Sequence, residues 1–215
     1  MFDMHAHIGT YFQDALVATS KIEEFDDVKN FKYHSYGSLS FINCDLNLIE
    51  EEIKKDDLGL IGEVGLDKRF DFSNQATFFE NAIKLSKKYD RSLIIHLVGH
   101  QDVFFNLLDL YSPIPPFLVH GFTSSFESAK RIINYGGYIS LSPRTEKTKD
   151  FKKLLKLPFF LETDMPTGDD ETKTLKLWYN KVSEELGVLP SVLEEIIDDR
   201  RTIFTPWKIN WKRSS

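Results

Sequence analysis

Eight short runs rich in β-branched and aromatic residues alternate along this chain with stretches whose apolar residues recur at helical spacing. The runs are Met1–His5, Ala15–Thr19, Phe31–Tyr36, Gly59–Glu63, Leu93–His96, Phe117–His120, Gly137–Leu141 and Phe159–Thr163. Parallel strands cannot be joined by a hairpin and need a crossover, which is most often a helix. Strand–helix repetition therefore predicts an α/β fold with a parallel sheet, and eight units predict a closed (β/α)8 TIM-like barrel. The helices show in the pattern too. Leu46, Ile49 and Ile53 recur at helical spacing, and so do Phe79, Ala82, Ile83 and Tyr89 within 74–90. Val103, Phe104, Leu107 and Leu108 mark a third helix. Ser124 and Glu127 have the spacing of a capping box ahead of Phe126, Ala129, Ile132 and Ile133. Leu175, Trp178, Val182 and Leu186 run up to Gly187, a natural stop, and Pro190 opens a last helix carrying Leu193, Ile196 and Ile197. Only about ten residues separate the first run from the second, too few for a crossover helix. The barrel is expected to have a shortened, irregular first quarter.

No low-complexity tract, repeat or Gly/Ser-rich linker interrupts the 215 residues, so a single domain over 1–215 is expected. Apolar runs such as Ser92–Val98 and Ile114–Val119 are strand-sized and far short of a membrane span. With His5 so near the start, no cleavable leader is expected. The single cysteine, Cys44, excludes an internal disulfide and fits a reducing compartment, so a cytoplasmic location is expected. A net charge of −6 argues against a protein that coats duplex nucleic acid through a basic stripe. It leaves open an enzyme that holds one strand end through bound cations.

Active sites of (β/α) barrels gather at the C-terminal ends of the strands. Four of the six histidines fall there. His5 and His7, two residues apart, point the same way from an extended segment. Glu63 ends Leu60-Ile61-Gly62 and opens Val64-Gly65-Leu66-Asp67. A carboxylate buried at such a place needs a cation or a proton. His96 follows Leu93-Ile94-Ile95, His120 follows Phe117-Leu118-Val119, and Asp164 follows Phe159–Thr163. Each has an ordinary explanation alone: an incidental pair, a solvated glutamate, hydrogen-bonded core histidines, a helix-capping aspartate before Pro166. Six such residues at the same end of five strands favour a common cause, a metal site. Four imidazoles and two carboxylates suit borderline divalent ions such as zinc or manganese, and suit magnesium less. Two ions about 4 Å apart can clamp a substrate oxygen and acidify a water, and a carboxylate can take its proton. His34, inside a strand, and His100, at a helix start, are expected to lie outside the site.

These motifs together resemble the TatD-type metal-dependent deoxyribonucleases, within the amidohydrolase-like barrels. Asp3-Met4-His5-Ala6-His7 resembles that family's opening D-x-H-x-H. Gly62-Glu63-Val64-Gly65-Leu66-Asp67 resembles its G-E-[IV]-G-L-D. Ile95-His96, Val119-His120-Gly121 and Glu162-Thr163-Asp164 resemble its later ligand motifs, in order, and Tyr138-Ile139-Ser140 and Arg201–Phe204 also fall where the family has similar text. The resemblance implies that His5, His7 and Asp164 hold one metal ion and His96 and His120 another, with Glu63 bridging. It implies that Asp164 orients or deprotonates the attacking water, and that the reaction is hydrolysis of DNA phosphodiesters, often from a 3′ end.

The chain also departs from the family. It is shorter, mainly between the first and fourth strands. Gly37-Ser38-Leu39-Ser40 stands where the family carries a histidine, and Leu97-Val98 where it has a polar residue and then arginine. After Asp164 comes an acidic stretch ending Asp169-Asp170-Glu171, expected to repel phosphates near the site. Lys68, Arg69, Arg144, Lys147 and Lys149 fall on the same barrel face and could offset this, although runs of this kind are more often a solvated surface; Asp67, Lys68 and Arg144 are the candidate substrate contacts. The leading expectation is a phosphodiesterase or deoxyribonuclease trimming nucleic acid ends with two divalent ions (zinc, manganese or magnesium). The alternatives are hydrolysis of another ester, an amide or a small phosphoester, and a non-catalytic barrel serving as an interaction module. Trp207 and Trp211 could pack on the barrel or on a partner.

Overall fold

A computed structural model of the chain describes residues 1–10, 14–39 and 45–204. Ser40, Cys44, Trp207 and Trp211 lie outside the described residues. All eight expected strands form: β1 (Asp3–Ala6), β2 (Ala15–Ala18), β3 (Tyr33–Tyr36), β4 (Leu60–Asp67), β5 (Leu93–Val98), β6 (Phe117–Val119), β7 (Gly137–Leu141) and β8 (Phe159–Leu161). They pair in parallel, each with the next in sequence. Both faces of the sheet are covered, so nearly every strand residue is buried and the strands read as continuous apolar runs.

Closure of the barrel falls between β8 and β1, and it is made beyond the strands proper. Asp164 N donates to His5 O (3.0 Å), His7 N to Met165 O (2.9 Å) and Thr167 N to His7 O (3.0 Å). Below these, the buried Asp3 side chain replaces the missing rungs. Its Oδ1 accepts from the backbone N–H of His5 and of Thr163 (both 3.1 Å), and its Oδ2 accepts from Thr163 Oγ1 (2.6 Å). The two segments carrying His5, His7 and Asp164 are thus fastened to each other directly.

The first quarter is irregular, as its length dictates. Among the described residues no helix lies between β1 and β2. The β2–β3 connection has only a 3-10 turn (Ile22–Glu24) and the single-turn α1 (Phe25–Val28). Longer helices follow: α2 (Leu46–Lys55), α3 (Gln75–Tyr89), α4 (Gln101–Tyr111) and α5 (Phe126–Asn134). The β7–β8 connection is a 3-10 turn (Pro143–Lys147) and the short α6 (Phe151–Leu154), before α7 (Asp169–Leu186) and α8 (Pro190–Arg201). Gly187 ends α7 in the left-handed conformation (φ 68°) and Pro190 opens α8. Two details differ from expectation. Helix α5 is capped by Ser125, whose Oγ accepts from Ser128 N, so Ser124 and Glu127 make no capping box, and Ser124 instead accepts from Gln101. On α8, Leu193 and Ile197 are buried but Ile196 is exposed, being turned off the inward face. No described helix is long and apolar enough to cross a membrane.

Helix α7 is pinned to the barrel by side chains that satisfy strand backbone. Trp178 Nε1 donates to Leu141 O (2.7 Å), and Tyr179 OH donates to Phe2 O (2.8 Å) next to the closure. Replacing Tyr179 by Phe removes that buried hydrogen bond and the one the hydroxyl accepts from Phe2 N (3.4 Å). Such a loss costs about 1–3 kcal/mol, so Tyr179→Phe is expected to lower unfolding free energy in urea by that amount at unchanged m-value; an unaltered midpoint would contradict the role assigned to the hydroxyl.

Candidate metal centre

The spacing around Glu63 has a local cause. Between β4 and β5 the register runs from Ile61↔Leu93 to Val64↔Ile95, so β4 carries one residue more than its neighbour, a β-bulge. The bulge turns Glu63 into the barrel, where it is 3% exposed. Two glycines permit it. A Cβ on Gly62 (φ 146°) would stand 2.5 Å from Ile94 O, and one on Gly65 would stand 1.9 Å from His96 O. The G-E-V-G string is therefore the sequence form of a bulged strand pressed against the strand that carries His96.

The other candidates arrive from their strand ends. His5 lies within β1, and His7 lies just beyond it, with the two rings edge to face at 5.1 Å. His96 lies within β5, and His120 follows β6 directly with its N–H on Ile95 O (3.0 Å). Asp164 follows β8 with φ 59°, held there by its N–H on His5 O. All six side chains converge. Glu63 Oε1 is 2.7 Å from His96 Nδ1 and 2.9 Å from His120 Nε2, and Glu63 Oε2 is 3.8 Å from His5 Nε2. Asp164 Oδ1 lies 3.2 Å from His7 Nε2 and 3.6 Å from His5 Nε2. The His5 and His120 rings stack at 3.8 Å. Three sets have donor atoms close enough to share an ion: Glu63 with His96 and His120, Glu63 with His5 and His7, and His5 with His120 and Asp164. Glu63 joins the first two sets.

The charges follow from this packing. Burial and the neighbouring His120 push the His5 pKa well down, so His5 is neutral with a lone pair to offer. Burial also opposes charge on His120 and His7, but nearby carboxylates outweigh it. Glu63 and Glu162 raise His120 well above the ordinary value, and Asp164 and Glu63 raise His7. Burial would raise Glu63 and Asp164, yet the surrounding imidazoles hold both below the usual carboxylate range. The donor set fits a divalent cation on one further ground. His5 is fully buried, and neither of its ring nitrogens has a hydrogen-bond partner. A buried polar group without a partner is costly, and an imidazole lone pair beside two carboxylates is what zinc or manganese binds.

Behind the cluster lie groups that hold it in place. Asp67, expected among substrate contacts, is instead fully buried behind His96. It accepts from His96 Nε2 (2.9 Å), from Arg69 N (2.9 Å) and from the Arg69 guanidinium. Arg69 keeps its carboxyl low despite burial, near a pKa of about 2. Glu162 was not singled out from the sequence. It is fully buried 3.8 Å from His120 Nδ1 and accepts from Ser140 Oγ. Asp3 was missed as well. Both are charged residues set inside apolar runs, the signal that picked out Glu63. His34 is occupied elsewhere, bonding Phe31 O (2.7 Å) and Asp56 (2.5 Å), and His100 caps α4 against Phe72; neither joins the cluster.

A cleft of about 560 Å³ opens beside the cluster and shares His96, His120 and Asp164 with it. Lys68, Arg69 and Arg144 line it as cations, and Leu97, Val98 and Phe122 as apolar groups. The acidic stretch expected to repel phosphates lies elsewhere. Asp169, Asp170 and Glu171 form the first turn of α7, where the helix dipole favours them, and none lines the cleft.

The family model for TatD-related DNases matches residues 34–202. The chain is 33% identical over 117 residues to the uncharacterized metal-dependent hydrolase YjjV of Escherichia coli strain K12, covering 49% of this chain and 44% of that protein. It is 30% identical over 115 residues to the deoxyribonuclease Tat-D of Schizosaccharomyces pombe, covering 49% of this chain and 37% of that one. The chain thus spans less than half the length of either relative. The crystal structure of YjjV, a TatD homolog, superposes with a TM-score of 0.78 over 94% of this chain and 96% of that one, at 18% identity, a likeness of fold.

Because His7 and His120 are raised in the metal-free protein, a cation taking their nitrogens must displace protons. Apparent affinity for zinc or manganese is therefore expected to fall as pH drops below neutrality, about tenfold per unit for each proton displaced. Calorimetry in buffers of different ionisation heat measures the release; a heat independent of buffer would refute it.

Proposed function

Since the chain belongs to the TatD-related DNase family, we propose that it is a divalent-metal-dependent hydrolase that trims nucleic acid ends by cleaving phosphodiesters. The observation that carries the reading is the placement of Glu63. One of its oxygens stands against His96 and His120, and the other faces His5 and, through it, Asp164 and His7. In this reading His5, His7 and Asp164 would hold one ion and His96 and His120 a second, with Glu63 within reach of both groups. The ions, when bound, supply Lewis acidity to a phosphoryl oxygen and lower the pKa of a water.

The remaining work belongs to the chain's own residues. Asp164 stays ionised and borders the cleft, so its carboxylate orients the attacking water and accepts its proton. Asp67, locked by Arg69, fixes the His96 ring so that Nδ1 faces Glu63. Glu162, 3.8 Å behind His120 Nδ1, adds a negative charge that favours positive charge on that ring. Lys68 extends across Gly99 into the cleft, where an added Cβ would meet the lysine stem at 2.6 Å, and meets the charge of a substrate phosphate. A nucleic acid substrate is supported over a carboxylic ester or amide by these cations, by the acidic turn being off the cleft wall, and by the name of the fission-yeast relative.

The test is release of mononucleotides from a 3′-labelled single-stranded oligonucleotide with manganese, comparing wild type with Asp164→Asn. Removing a group of this kind costs roughly 10²–10⁴ in rate, so the variant is expected to lose essentially all release while keeping its circular dichroism. Chelation is expected to abolish release by wild type. An unchanged rate in Asp164→Asn sinks the proposal. No release from a metal-loaded wild type transfers the reading to ester, amide or small-phosphoester hydrolysis.

A further inference from the structure

Arg144 stands on the 3-10 turn after β7, and the base of that turn is firmly tied. Thr145 N donates to Ser142 O (2.8 Å), and Ser142 N donates to Thr145 Oγ1 (3.2 Å). The buried Thr145 hydroxyl in turn donates to Phe122 O (2.9 Å) on the neighbouring loop. From this base the Arg144 side chain, 65% exposed, reaches to Asp164, with Nη2 against Oδ2. The histidines face the other oxygen, Oδ1. The carboxylate is thereby shared between imidazoles on its inner side and a guanidinium on its outer side.

The two halves of the cluster differ in this respect. Among the described residues, Glu63 pairs only with histidines, and no lysine or arginine contacts it. A guanidinium cannot lose its charge near neutral pH. A cation approaching Asp164 therefore meets a fixed like charge already seated on its ligand, whereas no described guanidinium or ammonium is seated on Glu63. Being long, exposed and hinged on a rigid turn, Arg144 can leave Asp164 without any backbone movement, and it then projects into the cleft that Lys68 also lines.

We propose that Arg144 is an exchangeable counter-ion: it caps Asp164 in the metal-free protein, makes ion loading stepwise, and, once displaced, serves as a phosphate contact in the cleft. The inference rests on the metal-centre reading above and goes beyond it, since the order of loading and the substrate grip are assigned to one side chain. The half built from Glu63, His96 and His120 fills first, and the half containing Asp164 fills second and more weakly.

Calorimetric titration of the metal-free full chain with Mn²⁺ tests this without reference to activity. Wild type, Arg144→Gln and Arg144→Lys are compared. Loss of one exposed charge beside the ligand is expected to tighten the second step by about three- to tenfold in Arg144→Gln and leave the first step unchanged. Arg144→Lys, which keeps the charge, is expected to stay near wild type; a merely structural role would make both variants behave alike. In steady-state assays Arg144→Gln is expected to raise KM for a phosphodiester more than it lowers kcat. Two-step titrations that superimpose for wild type and Arg144→Gln overturn the role of Arg144 and leave the metal-centre reading standing. No ion bound by any of the three proteins overturns that reading, and the inference with it.

Discussion

A carboxylate removed from water has to be neutralised, and in this barrel that requirement falls on Glu63. The β4 bulge places it where water cannot follow, and burial alone would push a proton onto it. The structure resolves this by surrounding it with imidazoles, and each imidazole then needs its own orientation. His96 takes it from Asp67, which is itself held by Arg69. His120 takes it from Glu63 itself, with the charge of Glu162, held by Ser140, standing 3.8 Å behind the ring. His5 has neither ring nitrogen hydrogen-bonded, whereas His120 lacks a partner at Nδ1 only, and His5 is the most buried of the four histidines in the cluster. The incomplete satisfaction of His5 is the feature that most directly calls for a cation, because each of the other three histidines has at least one ring nitrogen bonded to a carboxylate.

The same economy governs closure. β1 and β8 carry the residues farthest apart in sequence within the cluster, so the seam between them sets how well His5, His7 and Asp164 are aligned. Asp3 makes that seam from its side chain, at a cost: burial drives its pKa well up, and the neighbouring Glu171 drives it further. A carboxyl that spends its oxygens on two backbone amides and a hydroxyl is serving as backbone. Helix α7 then covers the seam through Tyr179, and Glu171 brings the first turn of that helix underneath. The acidic stretch that looks from the sequence like an obstacle to phosphates is, in part, the far side of this closure.

The fold was legible in the sequence because the strands are buried on both faces and so announce themselves as apolar runs, and because the polar residues that end them stand out against that background. The six clustered residues were legible for the same reason. What stayed hidden depended on direction rather than on type. Asp67 and Lys68 are neighbours, yet a strand turns one behind His96 and the next toward the cleft. Glu162 sits in a string that draws the eye to Asp164, and nothing in the string says that it stands behind His120. The α5 cap shifted by a single residue because two serines adjoin at 124 and 125, and only the backbone shows which one faces Ser128 N.

The cleft is divided in a way that bears on what it can hold. Lys68, Arg69 and Arg144 come from the β4 and β7 ends, and Leu97, Val98 and Phe122 from the β5 and β6 ends. The strand order sets the cations on the two flanks of the cleft with the apolar residues between them, and under the proposed function a nucleotide would offer phosphate to a flank and its base to the middle. The cations are few, and Arg69 is already committed to Asp67. With a net charge of −6, the chain's overall charge does not favour a long polyanion. A protein that neutralises few phosphates has a shallow dependence of affinity on salt and little hold on duplex interiors. Under the function proposed above, such a cleft suits a substrate that enters by its end, where a short grip suffices and the apolar wall is open to a terminal base.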